Sequence, residues 1–285
     1  MSWCASPPTP ARSSPCWTRT RPGAEPMGGV GVTIGIDLAA QDANTASCRM
    51  AWGSDGPRVE ALTVGRSDAQ LLEDAAGASA VGIDAPFGWP EPFFEAIAAH
   101  RTGGAWPGRG RDAEEYRRGL RLRTTDRAVH ALTGLTPLSV SADRIAIAAF
   151  RCALLLDLLA AEQGETADRS GCDGRVAEVY PAAALRQWGL EPSSSYKVKD
   201  ATDQRAEILE GLTAGLGMRP LPEPMRERAV AVDHALDALL CAVIARAVML
   251  GRTLRPAGEE EVRLARIEGW IHLPEPDALQ HLGRA

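Results

Sequence analysis

Several protein classes are excluded by what this chain does not contain. Its 285 residues hold six cysteines (Cys4, Cys16, Cys48, Cys152, Cys172 and Cys241) and no C-x-x-C pair. That density cannot staple a chain of this length, so the reading is a reducing, cytoplasmic setting. Cys48, Cys152 and Cys241 fall in apolar elements and read as small core residues. His100, His130, His234, His272 and His281 are scattered, with neither H-E-x-x-H nor any zinc-ligand spacing. No apolar run approaches the about 18 residues of a membrane span. Positive charge is in deficit: a net charge of −6 argues against a surface that coats nucleic acid all over, though not against a local basic patch. No internal repeat is present beyond one Gly-Ile-Asp echo.

What is present supports a folded α/β protein. Hydrophobic residues make up 45% and charged residues 24%, enough for a sizeable core in one large domain or two small ones. Residues 1–28 are rich in Pro, Ser and Arg and lack the apolar segment of a secretory signal. They read as a disordered tail, a transit-like segment or an over-extended start, with the last, and Met27 as initiator, preferred.

Ordered patterning begins at residue 30. Val30, Val32, Ile34, Ile36 and Leu38 alternate with Gly31, Thr33, Gly35 and Asp37, which is strand periodicity. Asp37 shares its face with small residues only, which predicts open space above it. Two more strands are expected at 45–52 and 58–64. Ser67-x-x-Gln70 resembles a capping box opening a helix at 68–76, stopped by Gly77. The strand at 79–85 follows, repeating Gly-Ile-Asp at its end. The first three strands read as a meander, and the fourth returns through the helix to lie parallel to a neighbour. A mostly helical region spans 92–163, with its strongest helix from Ser141 to Gln163. A short strand at 175–181, a helix at 203–214, a long helix over about 225–250 ended by Gly251, and an extended piece at 268–274 complete the pattern.

Carboxylates recur where ligands bind. Ends of strands in open α/β sheets face a crevice, and both Asp37 and Asp84 stand at such ends. In the last long helix, Asp233, Asp237, Leu240, Ile244 and Val248 lie on one helical stripe, so Asp237 meets the buried face. Glu178 on the short fifth strand offers a fourth carboxylate. Oxygen ligands from separate elements suit Mg²⁺ or Mn²⁺, and two such ions about 4 Å apart can clamp a phosphoryl displacement. The bland readings differ. Asp233 serves as a dipole partner at a helix start, and Asp237 pairs with Arg246 or with an arginine of 101–127.

The motifs GIDLA (35–39), GIDAP (82–86), EVYP (178–181) and DHALDAL (233–239) resemble domain of unknown function 429, a family described as predicted nucleases of the RNase H fold. The resemblance covers roughly 30–274. It implies a five-stranded mixed α/β sheet with three antiparallel strands, a carboxylate metal site and a helical insertion after the fourth strand, about 88–170. It also implies one RNase H-like domain over 29–285. By position, Asp37 matches the first-strand aspartate of RNase H-like enzymes, Asp84 the fourth-strand carboxylate, and Asp237 or Asp233 that of the C-terminal helix. The first-helix glutamate of ribonucleases H has no marked counterpart; Glu73 is nearest, and Glu178 lies on the fifth strand instead. Arg123 and Asp126 fall in an Arg-x-x-Asp motif and Lys197 in a Tyr-Lys motif.

The expected activity is Mg²⁺- or Mn²⁺-dependent phosphodiester hydrolysis. Asp37, Asp84, Asp237 and Asp233 are the metal candidates, Glu178 is a further catalytic carboxylate, and Arg123 and Lys197 offset developing charge. The segment 101–127 carries eight arginines against four acids and two aromatic residues, Trp106 and Tyr116. It reads either as a nucleic-acid contact or as a solvated helix with pairs such as Glu114–Arg118. Two rival functions stand beside the nuclease: a phosphotransferase of the actin-like fold, and a non-catalytic module that binds nucleic acid or protein on the same fold.

Overall fold

The computed structural model describes residues 31–283, so the expectations for residues 1–28 lie outside the described residues. Strands β1 (Gly31–Asp37), β2 (Ala46–Trp52) and β3 (Arg58–Val64) form the expected antiparallel meander. Helix α1 (Asp68–Ala75) opens on a true capping box, in which Ser67 Oγ accepts from the Gln70 amide and Gln70 Oε1 accepts from the Ser67 amide. It returns the chain to β4 (Ala80–Asp84), parallel to β1. Helices α2 (Glu91–Arg101), α3 (Ala113–Arg121), α4 (Thr124–Thr133) and α5 (Ala146–Ala161) precede β5 (Val176–Glu178), which adds parallel to β4. The sheet order is β3-β2-β1-β4-β5. Helices α6 (Pro181–Gln187), α7 (Thr202–Leu216), α8 (Glu223–Ala231), α9 (Asp233–Met249), α10 (Gly258–Glu268) and α11 (Leu279–Leu282) follow. No helix among the described residues is long and apolar enough to cross a membrane.

Strand alternation assigns the two faces of the sheet. Ile34, Ile36, Val81 and Ile83 point to one side, against Leu71 of α1 and Cys152, Leu155 and Leu159 of α5. The opposite face carries Thr33, Gly35 and Asp37 on β1 and Gly82 and Asp84 on β4, and α9 lies on it. Here the expectation of open space above Asp37's face is wrong, because α9 fills it. A Cβ on Gly35 would fall 2.0 Å from the Ala238 carbonyl oxygen, and one on Gly82 would fall 2.6 Å from that of Cys241. The glycines let a helix backbone touch the sheet backbone.

Helix α9 departs from the sequence reading in two further ways. It is buried on every side from Ala235 to Val248 and not along one stripe, since α6, α7, α8 and α11 cover the face that the sheet does not. A helix apolar all round belongs in a core, and each fully buried leucine there contributes roughly 1.5–3 kcal/mol. It is also shorter than the single helix expected over 225–250. The chain breaks at Val232, which is extended at φ −125° and ψ 116°. In an unbroken helix the carbonyls of Val230 and Ala231 would accept from amides four residues on. Instead they accept from Arg205, whose Nε lies 2.6 Å from Val230 O and Nη2 3.4 Å from Ala231 O.

The strong helix expected from Ser141 begins later, at Ala146. Asp143 accepts from the Ser139 amide, and the hydroxyls of Ser139 and Ser141 donate to Arg121 O and Leu120 O. These side chains compete with helical backbone pairing. The extended piece near the C-terminus continues the sheet past β5: Ile271 bridges Glu178, and the His272 amide donates to Glu178 O at 2.8 Å.

Candidate metal centre

The two Gly-Ile-Asp motifs are register partners. Gly35 pairs with Gly82, Ile36 with Ile83 and Asp37 with Asp84 across the parallel β1–β4 ladder. The three positions divide the work. Glycine admits α9, isoleucine fills the opposite core, and aspartate stands where the strand ends. Because α9 rests on the glycines, Asp237, one residue before Ala238, reaches both strand-end carboxylates. One oxygen each from Asp37, Asp84 and Asp237 lies within 4.8 Å of the others.

Each carboxylate has distinct surroundings. Asp37 Oδ2 is 2.5 Å from His234 Nδ1. Burial pushes the Asp37 carboxyl up to about 6, although the histidine hydrogen bond pulls the other way. Asp237 is held at both oxygens: the Tyr196 hydroxyl donates to Oδ1 at 2.8 Å, and Lys197 Nζ lies 2.7 Å from Oδ2. Among the described residues no hydrogen bond or ion pair reaches the Asp84 carboxylate, although its backbone belongs to the β1–β4 ladder. Its carboxyl is driven well above the usual range, first by burial, then by Asp37 and Asp237, with Lys197 opposing. Burial alone would depress the Lys197 ammonium, but Asp237, Tyr196 and Asp84 hold it well above its ordinary value. His234 is likewise raised, chiefly by its bond to Asp37.

All three donors are oxygens, they come from three elements, and their mutual repulsion is incompletely neutralised. The trio can hold a metal ion, and oxygen donors suit a hard divalent cation.

The other sequence candidates are not part of this trio. Asp233 is the first residue of α9 and is outside the trio. Glu178 faces Arg123, whose Nη2 is 2.7 Å from Oε1 and Nη1 2.8 Å from Oε2. Arg123 also donates to both oxygens of Asp126 and to Glu268 O, and Glu178 accepts from the Phe87 amide. This Arg-x-x-Asp pair therefore forms a closed ionic network beside β5. Glu73 is exposed on α1. Arg246 is not the partner of Asp237; its guanidinium stacks on Trp52 with Cζ 5.0 Å from the ring centroid. In the segment 101–127, every arginine except Arg123 is exposed. Arg118 pairs with Glu114 at 3.1 Å, Asp112 caps α3, and Trp106 meets Tyr116 edge-on at 6.1 Å.

Three residues of the site were not singled out from sequence. His234 precedes Asp237 by three residues, so helical spacing alone puts both on one side of α9. Tyr196 stands beside Lys197 in the Tyr-Lys motif. Arg205 has no sequence signal. It is buried and donates to the carbonyls of Tyr196, Val198 and Lys199 as well as to those of Val230 and Ala231. It thereby ties the Lys197 segment to the start of α9.

Comparisons with curated proteins and with solved structures returned no match. A family model described as protein of unknown function (DUF429) matches residues 35–261, a span that runs from the glycine beneath α9 through all three carboxylates, and the chain belongs to that family.

Proposed function

We propose that this protein is a divalent-metal-dependent nuclease of RNase H-like fold. The observation that carries the reading is the convergence of Asp37, Asp84 and Asp237, from two parallel strands and a helix, within 4.8 Å. The strand order β3-β2-β1-β4-β5, with its antiparallel first three strands, agrees with the plan the sequence resemblance implies. Positions agree as well: first strand, fourth strand and C-terminal helix each bring one carboxylate. The four helices between β4 and β5 fit the implied insertion, although α5 also covers one face of the sheet.

Asp37, Asp84 and Asp237 would hold Mg²⁺ or Mn²⁺. Bound there, the ion supplies Lewis-acid polarisation of a phosphodiester and lowers the pKa of water. The chain's own groups do the rest. Tyr196 orients Asp237 through its hydroxyl. Lys197, with 44% of its side chain exposed, sets a positive charge at the mouth of the site, where negative charge develops on phosphate oxygens. His234 is 33% exposed and holds a proton against Asp37, at a position able to exchange it with solvent. The exposed arginines of 101–121 offer contacts to a phosphate backbone.

The test is hydrolysis of end-labelled single- and double-stranded DNA and RNA by the purified chain with Mg²⁺, with Mn²⁺ and with EDTA. Cleavage that requires the ion and is lost in Asp84→Asn is the expected result. Cleavage that persists in EDTA, or in that variant, would contradict the assignment, as would no cleavage of any of these substrates.

A further inference from the structure

We infer that Lys197 takes the place of a second cation, so that the centre binds one divalent ion and not a pair. The inference rests on the metal reading above and concerns how that site is filled.

Three observations lead to it. First, most of the oxygens that would have to serve a second ion as well as a first already have a protein partner. Bridging two ions takes a carboxylate that gives one oxygen to each. Asp237 has Oδ1 on the Tyr196 hydroxyl and Oδ2 on Lys197 Nζ at 2.7 Å, and Asp37 has Oδ2 on His234, so Asp84 is the one carboxylate of the trio with both oxygens open. Second, the lysine is fixed. Its neighbour Tyr196 is buried and bonded to the same aspartate, and the ammonium sits 5.7 Å from that ring's centroid. Arg205 grips the carbonyls of Tyr196, Val198 and Lys199 and ties them to Val230 and Ala231 at the entry to α9. An ordinary surface lysine has no such anchorage. Third, the charges balance. Three carboxylates, one ammonium and a single divalent ion sum to zero, or to +1 with a charged His234; a second ion would add two further positive charges to a recessed site in either case.

Arg205 then acts as a positioning residue for Lys197, joining the cation to the helix that carries Asp237. Lys197 does a cation's electrostatic work without being a Lewis acid.

The experiment is a calorimetric titration of the full chain with MnCl₂, after EDTA treatment and desalting, for the wild type, Lys197→Met and Lys197→Arg. Melting curves in EDTA establish that each variant is folded. One Mn²⁺ per wild-type chain, two per Lys197→Met chain and one per Lys197→Arg chain are expected. Rescue by arginine distinguishes a charge role from loss of packing. Two ions in the wild type, or one ion bound unchanged by Lys197→Met, would overturn the inference and leave the metal reading standing. No binding by the wild type would remove the metal reading and this inference with it. If Lys197→Met does not fold, Lys197→Gln replaces it with the same two outcomes.

Discussion

Two polar clusters lie one strand apart in this sheet, and they differ in whether every carboxylate has a protein partner. Beside β5, Arg123 meets Asp126 and Glu178 through both of its terminal nitrogens, and the Phe87 amide completes Glu178. Glu268 closes the surroundings by accepting from the amides of Glu91 and Thr124. At the ends of β1 and β4, three carboxylates converge on a single ammonium and an imidazole. Burial of charge is common to both, so burial does not distinguish a site from a strut. The distinguishing feature is pairing: each carboxylate of the first cluster is held by protein donors, whereas in the second the Asp84 carboxylate has none among the described residues, and an unpaired buried carboxylate calls for a cation.

That contrast can be broken most forcefully at Arg123. Arg123→Met leaves Asp126 and Glu178 buried without a cation, and unfolding in urea should show a loss of about 3–5 kcal/mol whether or not Mn²⁺ is present. Asp237→Asn should do the opposite in EDTA. It keeps the shape and the Tyr196 contact, relieves repulsion from Asp37 and Asp84, and releases Lys197 toward solvent, so the chelated protein should be neutral to within about 1 kcal/mol or more stable. A strongly destabilised Asp237→Asn would put both clusters in the same structural class.

The next effect in size comes from lifting α9 off the sheet. Gly35→Ala inserts a Cβ 2.0 Å from a helix carbonyl. Overpacking of this kind costs about 3 kcal/mol, the upper part of its usual range. Here the metal centre should fail with the fold, so a Gly35→Ala chain that melts like the wild type would show that α9 is held less closely than described.

Acidity sharpens the comparison with a smaller effect. In the folded, metal-free chain Asp37 titrates near 6, above the 3.8 of an ordinary aspartate. The folded state therefore holds a proton that the unfolded chain releases between those values. The stability this gives is full below 3.8 and is lost as pH rises through about 6. A divalent ion must displace that proton, so Mn²⁺ affinity should fall by at least about tenfold per pH unit below about 6, with the raised Asp84 carboxyl steepening the slope, and be insensitive to Asp37 above it. Titrations at pH 5, 6 and 7 would check the slope. The smallest effect concerns the surface: Arg117, Arg118 and Arg121 changed together to Ala should flatten the salt dependence of single-stranded nucleic-acid binding by about 0.7 in log–log slope per lost phosphate contact. An unaltered slope would return α3 to a solvated helix.

Period-two and helical spacing were enough to place Asp37, Asp84 and Asp237, because each lies at a position that strand or helix geometry fixes locally. The same patterns located β1 to β4 and the capping box at Ser67. What local patterns could not reach was pairing across long separations. Arg123 and Glu178 are 55 residues apart, and their bidentate contact pairs them with each other beside the carboxylate trio. Arg205 stops a helix that sequence continues, through carbonyls 25 and 26 residues away. The small face around Asp37 read as vacant because periodicity shows which side chains share a face and not what covers them. Lys197 read more readily as a surface lysine than as a site residue, and its contact with Asp237, held through Tyr196 and Arg205, brings it to the carboxylates.

The most direct test of the cluster with the unpaired carboxylate is the thermal midpoint of the wild type and of Asp84→Asn, each melted in EDTA and in MnCl₂. Asp84 is the carboxylate without a protein partner among the described residues, so its change should disturb the apo fold least. An ion that binds only the folded state stabilises by about 2.7 kcal/mol at one hundred times its dissociation constant. The wild type should therefore melt several degrees higher in Mn²⁺ than in EDTA, and Asp84→Asn should melt at the same temperature in both. Equal shifts in the two proteins, or none in the wild type, would contradict a cation held by Asp37, Asp84 and Asp237.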